Sequence, residues 1–214
     1  MDGATLQAKV YGGYAKAATR IGLPFDLHRP TSATTPLPTK LATIQASFNN
    51  ENFNYEHPNK YGNSVWYGIL DGTQTQVGDY LIGTSDPSTF FIAGMQPLLP
   101  ILCVECNHTI NIVRTTQQNA VGAIAYGGDT AANETPIMTG WPCSILIGGR
   151  ARRNDLNLPG DVDSPGWVIL IPAYPGTIIK NRDIITDENG QRYIVIANEQ
   201  TDLGWRLQVT QALS

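Results

Sequence analysis

The chain has 214 residues, a formal net charge of −4 and only 15% charged side chains. That length allows one or two domains, and the negative balance excludes the generally basic footprint of a nucleic-acid-binding surface. No apolar run is long enough to span a bilayer, and nothing at the start reads as a signal peptide, so no membrane partner is expected and synthesis in the cytosol is.

In that compartment the sequons at Asn107 and Asn133 carry no information. Three cysteines, an odd number, do not make a disulfide framework. Gly, Pro, Thr and Asn are frequent and the strand-like runs are short, which is an all-β composition rich in turns.

Asp2 is a candidate N-cap for a helix running to about Arg20. Leu6, Val10, Tyr14, Ala17 and Ile21 recur at three- and four-residue spacing and make one apolar stripe. Gly22 can take the left-handed position that ends a helix, and Pro24 prevents its resumption. Gly12 and Gly13, in mid-helix, cost about 1 kcal/mol each relative to alanine. The helix therefore needs a docking surface, either on its own domain or on a neighbouring subunit. Residues 29–39, RPTSATTPLPT, read as an extended arm, a linker or a tether reaching roughly 30 Å.

Leu41 to Ala46 reads as a strand, and Asn49 to Asn63 as a loop. Ser64 to Leu70 opens a first β unit, with Asp71-Gly72 as a hairpin-type turn. Strands follow at Asp79–Ile82 and Thr89–Ala93, and Ile101 to Val113 resumes the sheet after Pro97-Leu98-Leu99-Pro100.

The stretch Gly72 to Leu99 then recurs without a gap as Gly176 to Leu203. Gly72/Gly176, Thr73/Thr177, Asp79/Asp183, Ile92/Ile196, Ala93/Ala197, Gln96/Gln200 and Leu99/Leu203 are identical, and apolar positions match between them. The same order of features in both copies marks one β unit used twice. In the second copy, Trp167 to Ile171 is a continuous apolar run expected to be buried on both faces. Glu188-Asn189-Gly190 is a hairpin tip, and Tyr193–Ala197 and Trp205–Val209 complete a meander.

Strands this short curl into small closed barrels, because closure removes exposed edges. The expected fold is mainly β, with two small antiparallel β-barrel-like units related by an internal repeat, an N-terminal α-helix and an extended arm. The expected divisions are 1–40 for helix and arm, 41–113 for the first unit, 114–164 for a glycine-rich insertion reaching for a partner, and 165–214 for the second barrel.

Chemistry is sparse. Cys103, Cys106 and His108 form the nearest thing to a metal cluster, but a zinc site needs four converging ligands, and on a strand residues 103 and 106 face opposite sides. Asp79 and Asp183 sit beside turns, where a carboxylate bonds nearby backbone amides. No P-loop lysine or nucleophile elbow is present, and the histidines lack nucleophile or carboxylate partners. No enzyme, cofactor or metal is expected. Arg150, Arg152 and Arg153 form a basic patch that can meet DNA phosphates or a partner's acidic side chains.

The C-terminal stretch RDIITDENGQRYIVIANEQTDLGWRLQVTQ resembles the small barrels of tailed-bacteriophage head–tail neck proteins. Their pattern is a Gly-Asp-apolar-apolar strand, an Asp-X-Asn-Gly turn, an aromatic-apolar strand and a final apolar strand. Gly78-Asp79 keeps the pattern's glycine, and Arg182 replaces it before Asp183. The opening GATLQAKVYGGYAKAATRIGLPFDLHRP is similar to the start of connector proteins whose helix feeds an extended arm.

The resemblance implies a homo-oligomeric ring of the adaptor, stopper or collar type, between portal and tail in the virion. It would be assembled in the host cytoplasm, with DNA passing non-specifically; in such a ring the apolar stripe of the helix, Leu6, Val10, Tyr14 and Ile21, is the candidate subunit contact. The other expectation is a sheet-based binding module for carbohydrate or a capsid or fibre surface, with Trp66, Tyr67, Tyr126 and Trp141 as stacking platforms.

Overall fold

The computed structural model describes residues 2–49, 61–115, 133–148 and 166–212. Helix α1 (Gly3–Ile21) begins where the Asp2 carboxylate accepts the Thr5 amide at 2.8 Å. It ends where the Gly22 amide donates to the Ala18 carbonyl at 2.7 Å. Gly22 is extended at φ −87°, not left-handed as expected. Glycine is needed there for space: a Cβ would lie 2.5 Å from the Ala18 carbonyl oxygen and 2.9 Å from that of Ala46.

Six strands close the first barrel: β1 (Leu23–His28), β2 (Ala42–Asn49), β3 (Val65–Leu70), β4 (Tyr80–Gly83), β5 (Thr89–Gly94) and β6 (Ile101–Cys106). Around the barrel the order is β1-β2-β3-β6-β5-β4, closed by β1 against β4. Asp71-Gly72 is not a hairpin tip, because β3 pairs with β2 and β6. Asp71 instead accepts the Thr73 amide at 2.9 Å and turns the chain toward β4.

The second barrel repeats the plan with β7 (His108–Thr115), β8 (Glu134–Ile147), β9 (Gly166–Ile171), β10 (Ile184–Asp187), β11 (Arg192–Thr201) and β12 (Gly204–Gln211). Two expectations are corrected here. Strand β1, placed with the helix and arm, belongs to barrel one, because Phe25 and Leu27 face its core. Strands β7 and β8, divided between the first unit and the insertion, belong to barrel two. Gly140 and two prolines interrupt the alternation of β8. Gly140, at φ +71°, lies at a register shift against β7 that lets the strand bend and bury both Met138 and Trp141. Strand β9 buries Ile169 and Ile171 and leaves Trp167, Val168 and Leu170 half-buried, so its two faces are not equally covered.

The two barrels match strand for strand. Leu81 pairs with Leu27 as Ile185 pairs with Ile112, and Phe91 pairs with Val104 as Ile194 pairs with Thr210. Each fifth strand carries a register irregularity at the same place, between Ile92 and Gly94 and between Val195 and Ala197. The structural match beyond the turn therefore pairs Ile92 with Val195 and sets Ala93 opposite Ile196, one residue off the ungapped alignment, because the second hairpin turn is one residue shorter. Interior residues correspond too: Phe25 with Ile110, Ile44 with Trp141, Leu70 with Ile171, Phe90 with Tyr193 and Cys103 with Val209 are all buried.

Candidate functional site

In each barrel one carboxylate ties the turn before the fourth strand to the first strand. Asp79 accepts Arg29 Nε on Oδ1 at 2.8 Å, Arg29 Nη2 on Oδ2 at 2.7 Å and the Gln76 amide on Oδ2 at 2.9 Å. Asp183 accepts Arg114 Nε at 2.7 Å, Arg114 Nη2 at 2.8 Å and the Lys180 amide at 2.7 Å in the same arrangement. Both aspartates are fully buried. A bidentate guanidinium and a backbone amide take three of the roughly four acceptor sites of each buried carboxylate, so the pair acts as a clamp. The hydrogen bonds that Arg29 donates to Asp79, and Arg114 to Asp183, raise the pKa of each arginine.

The sequence pointed to the amide bonds but not to the arginines. The signal was available: Phe25-X-Leu27-X-Arg29 and Ile110-X-Ile112-X-Arg114 carry one pattern.

The barrels are fused through a shared core. Tyr80, Phe91, Ala93 and Val104, on the outside of barrel one, pack with the interior residues of barrel two. The Tyr80 hydroxyl donates to the Pro142 carbonyl at 2.8 Å, and its ring meets Trp141 edge-on at 6.1 Å between centroids. Burial pushes the Tyr80 pKa well above the ordinary tyrosine value, so the hydroxyl stays a donor.

The arm does not extend away from the body as a tether. It lies across barrel two, where the Ala33 carbonyl accepts the Thr139 amide at 3.0 Å and Trp141 Nε1 at 2.6 Å, and the Tyr174 hydroxyl donates to the Thr31 carbonyl at 2.7 Å. A cavity of about 320 Å³ opens at the seam, lined by Tyr67, Gly94, Gln96, Leu99, Pro100, Leu102 and Leu203. Among the described residues no carboxylate, histidine or cysteine lines it.

Helix α1 packs on its own barrel. Tyr11 covers Gly72, where a Cβ would lie 2.6 Å from the ring, and the Gln7 side-chain carbonyl accepts the Leu98 amide at 2.5 Å. Of the stripe residues, Leu6 and Ile21 are exposed, and Val10 and Tyr14 are half-buried. Arg150, Arg152 and Arg153 lie outside the described residues, as does Tyr126.

Cys103 is buried inside barrel one, Cys106 packs at the seam and Cys143 is inside barrel two. Burial pushes all three thiols far up. Among the described residues no three His, Cys, Asp or Glu side chains converge as a metal site. His108 has a carboxylate partner that the sequence did not reveal: its Nδ1 lies 2.9 Å from Glu188 Oε1, which ties the start of β7 to the β10–β11 turn.

The aromatic platforms are not free. Trp141 is buried, Trp66 donates to Glu105 at 2.8 Å and sits edge-on to Phe90, and Tyr67 lines the seam cavity. No family model, curated protein or solved structure matches the chain.

Proposed function

We propose that the chain is a structural subunit of a tailed-bacteriophage neck, built into a homo-oligomeric ring between portal and tail. The observation that carries this reading is the fusion of two like barrels through one core, with apolar side chains left exposed on the N-terminal helix and on the far barrel. A rigid block with adhesive ends suits an assembly part. The clamp carboxylates are buried against their arginines, and among the described residues no carboxylate, histidine or cysteine lines the seam cavity, which suits a part built for assembly.

A net charge of −4 suits a channel wall past which DNA slides without counterion-releasing contacts. Arg150, Arg152 and Arg153 would be the local exception, meeting DNA or an acidic neighbour. The protein would reside in the virion after assembly in the host cytoplasm.

Electron microscopy of the purified full chain, alone and in particles, tests the reading. Closed rings with a central opening, found at the head–tail junction, are the expected result. Absence of the chain from particles would overturn it.

A further inference from the structure

We propose that the outer face of β11, Ile194 and Ile196, docks a second copy of this chain through the exposed Leu6 and Ile21 of that copy's α1, with half-buried Val10 between them. The contact deepens the ring reading, and rests on it only for closure.

The argument comes from the repeat. In barrel one the outer face of the fifth strand, Phe91 and Ala93, is 1% and 2% exposed because barrel two covers it. The same two positions of barrel two are Ile194 and Ile196, and they are 42% and 56% exposed. Two β-branched apolar residues thus stand outward on a strand whose counterpart is an interface.

The other end of the chain repeats as well. Barrel two meets barrel one partly through its β11–β12 tip: Leu203 sits against Gly94, where a Cβ would come within 2.7 Å of it. The equivalent β5–β6 turn of barrel one meets α1 instead, through Leu98 and Gln7, and Tyr11 covers Gly72 close by. Helix α1 therefore occupies, on barrel one, the place that barrel one occupies on barrel two.

Along the chain the order is helix, barrel, barrel, each seated on the next in the same sense. The first member keeps two exposed apolar residues at the ends of its stripe, Leu6 at 41% and Ile21 at 52%, and the last keeps two on β11, Ile194 and Ile196. From Leu6 to Ile21 the stripe is about 22 Å long, long enough to cross several strands. Joining last to first continues the internal series. It is a heterologous contact, which closes into a ring when the rotation fits and runs on as a filament when it does not.

The test uses the full chain and two charge variants, I194E/I196E and L6E/I21E, read by native mass spectrometry with circular dichroism as the control for folding. The wild type should form oligomers, and each variant alone should be monomeric with an unchanged sheet spectrum. An equimolar mixture of the two should give a 1:1 dimer and nothing larger, because only one intact helix stripe and one intact β11 face remain to meet.

Oligomers that persist in I194E/I196E would overturn this contact and leave the ring reading standing. Monomeric variants that fail to pair when mixed would overturn the head-to-tail arrangement. A monomeric wild type would overturn both readings. Filaments dissolved by the same variants would support the contact and overturn the closed ring.

Discussion

Gly78 and Arg182 hold one position in the two barrels, immediately before the clamp aspartate. Gly78 has φ +90° and Arg182 φ +72°. Both donate the same backbone hydrogen bond, Gly78 to Ile92 and Arg182 to Val195, at 2.8 Å. The turn requires a left-handed residue, which costs an L side chain about 1–2 kcal/mol; glycine avoids that strain and loses about 0.5–1 kcal/mol of extra chain entropy instead. Opposite signs follow for exchanges at equivalent sites. Gly78→Ala should destabilise by about 1 kcal/mol, and Arg182→Gly should stabilise by about 0.5 kcal/mol. Urea unfolding of both variants checks this, and equal signs would remove the strain argument.

Glu188 provides a pH effect at the same scale. Burial raises its pKa, but the Thr109 amide and the His108 ring outweigh that and hold the carboxyl below the ordinary glutamate value. A depressed folded-state pKa contributes stability that is complete above the unfolded value and is lost as pH falls through the folded one. Glu188→Gln should therefore lower the thermal midpoint above the ordinary glutamate pKa, where the carboxylate's contribution is complete, and flatten the acid limb, so that the variant and the wild type converge at low pH; thermal midpoints across an acid titration check this.

At the level of elements, the boundary between arm and barrel decides what can be removed. Strand β1 pairs with both β2 and β4, and Arg29 beyond it completes the Asp79 clamp. Deleting residues 2–20 should leave both barrels closed, with a loss of helical signal only. Deleting residues 2–30 removes Phe25, Leu27 and Arg29, and each large core side chain is worth about 2–5 kcal/mol. That sum approaches the whole stability of a small domain, so barrel one should open. Far-UV circular dichroism and thermal melting of the two truncations separate these outcomes.

The same boundary explains what was readable. Glu188-Asn189-Gly190 announced its hairpin, and the paired Gly72–Leu99 and Gly176–Leu203 stretches announced the duplication, because turn chemistry and alternation are local. The first strand of barrel one and the second of barrel two were harder to see. Strand β1 begins Leu23-Pro24 beside a helix end, and β8 contains Pro136, Gly140 and Pro142. Their strand identity comes from partners far along the chain. The exposed stripe of α1 was legible as periodicity, but its docking face was not, since Gln7 and Tyr11 are chosen by Leu98 and Gly72 rather than by spacing.

For the whole molecule, the shared core couples the two barrels. Tyr80 joins them, packing on Trp141 and Phe91 and donating to the Pro142 carbonyl. The wild type should melt in one transition. Tyr80→Phe leaves the Pro142 carbonyl without its donor and should cost about 1–3 kcal/mol, with the single transition kept. Tyr80→Ala adds a cavity at the seam and should cost about 3–5 kcal/mol, splitting the melt in calorimetry into two transitions. A single transition in Tyr80→Ala would place the coupling elsewhere.

Between β6 and β7 stands one residue, Asn107. Its amide donates to the Cys143 carbonyl at 3.0 Å, its side-chain nitrogen donates to the Ile145 carbonyl at 2.9 Å, and its side-chain oxygen accepts the Ile145 amide at 2.8 Å. A joint one residue long and held at three points leaves no free torsion about which the halves can swing. Torque applied to one barrel is delivered to the other with little lag, as in a keyed shaft. An object stacked on one end would be held at a fixed height and azimuth relative to whatever grips the other.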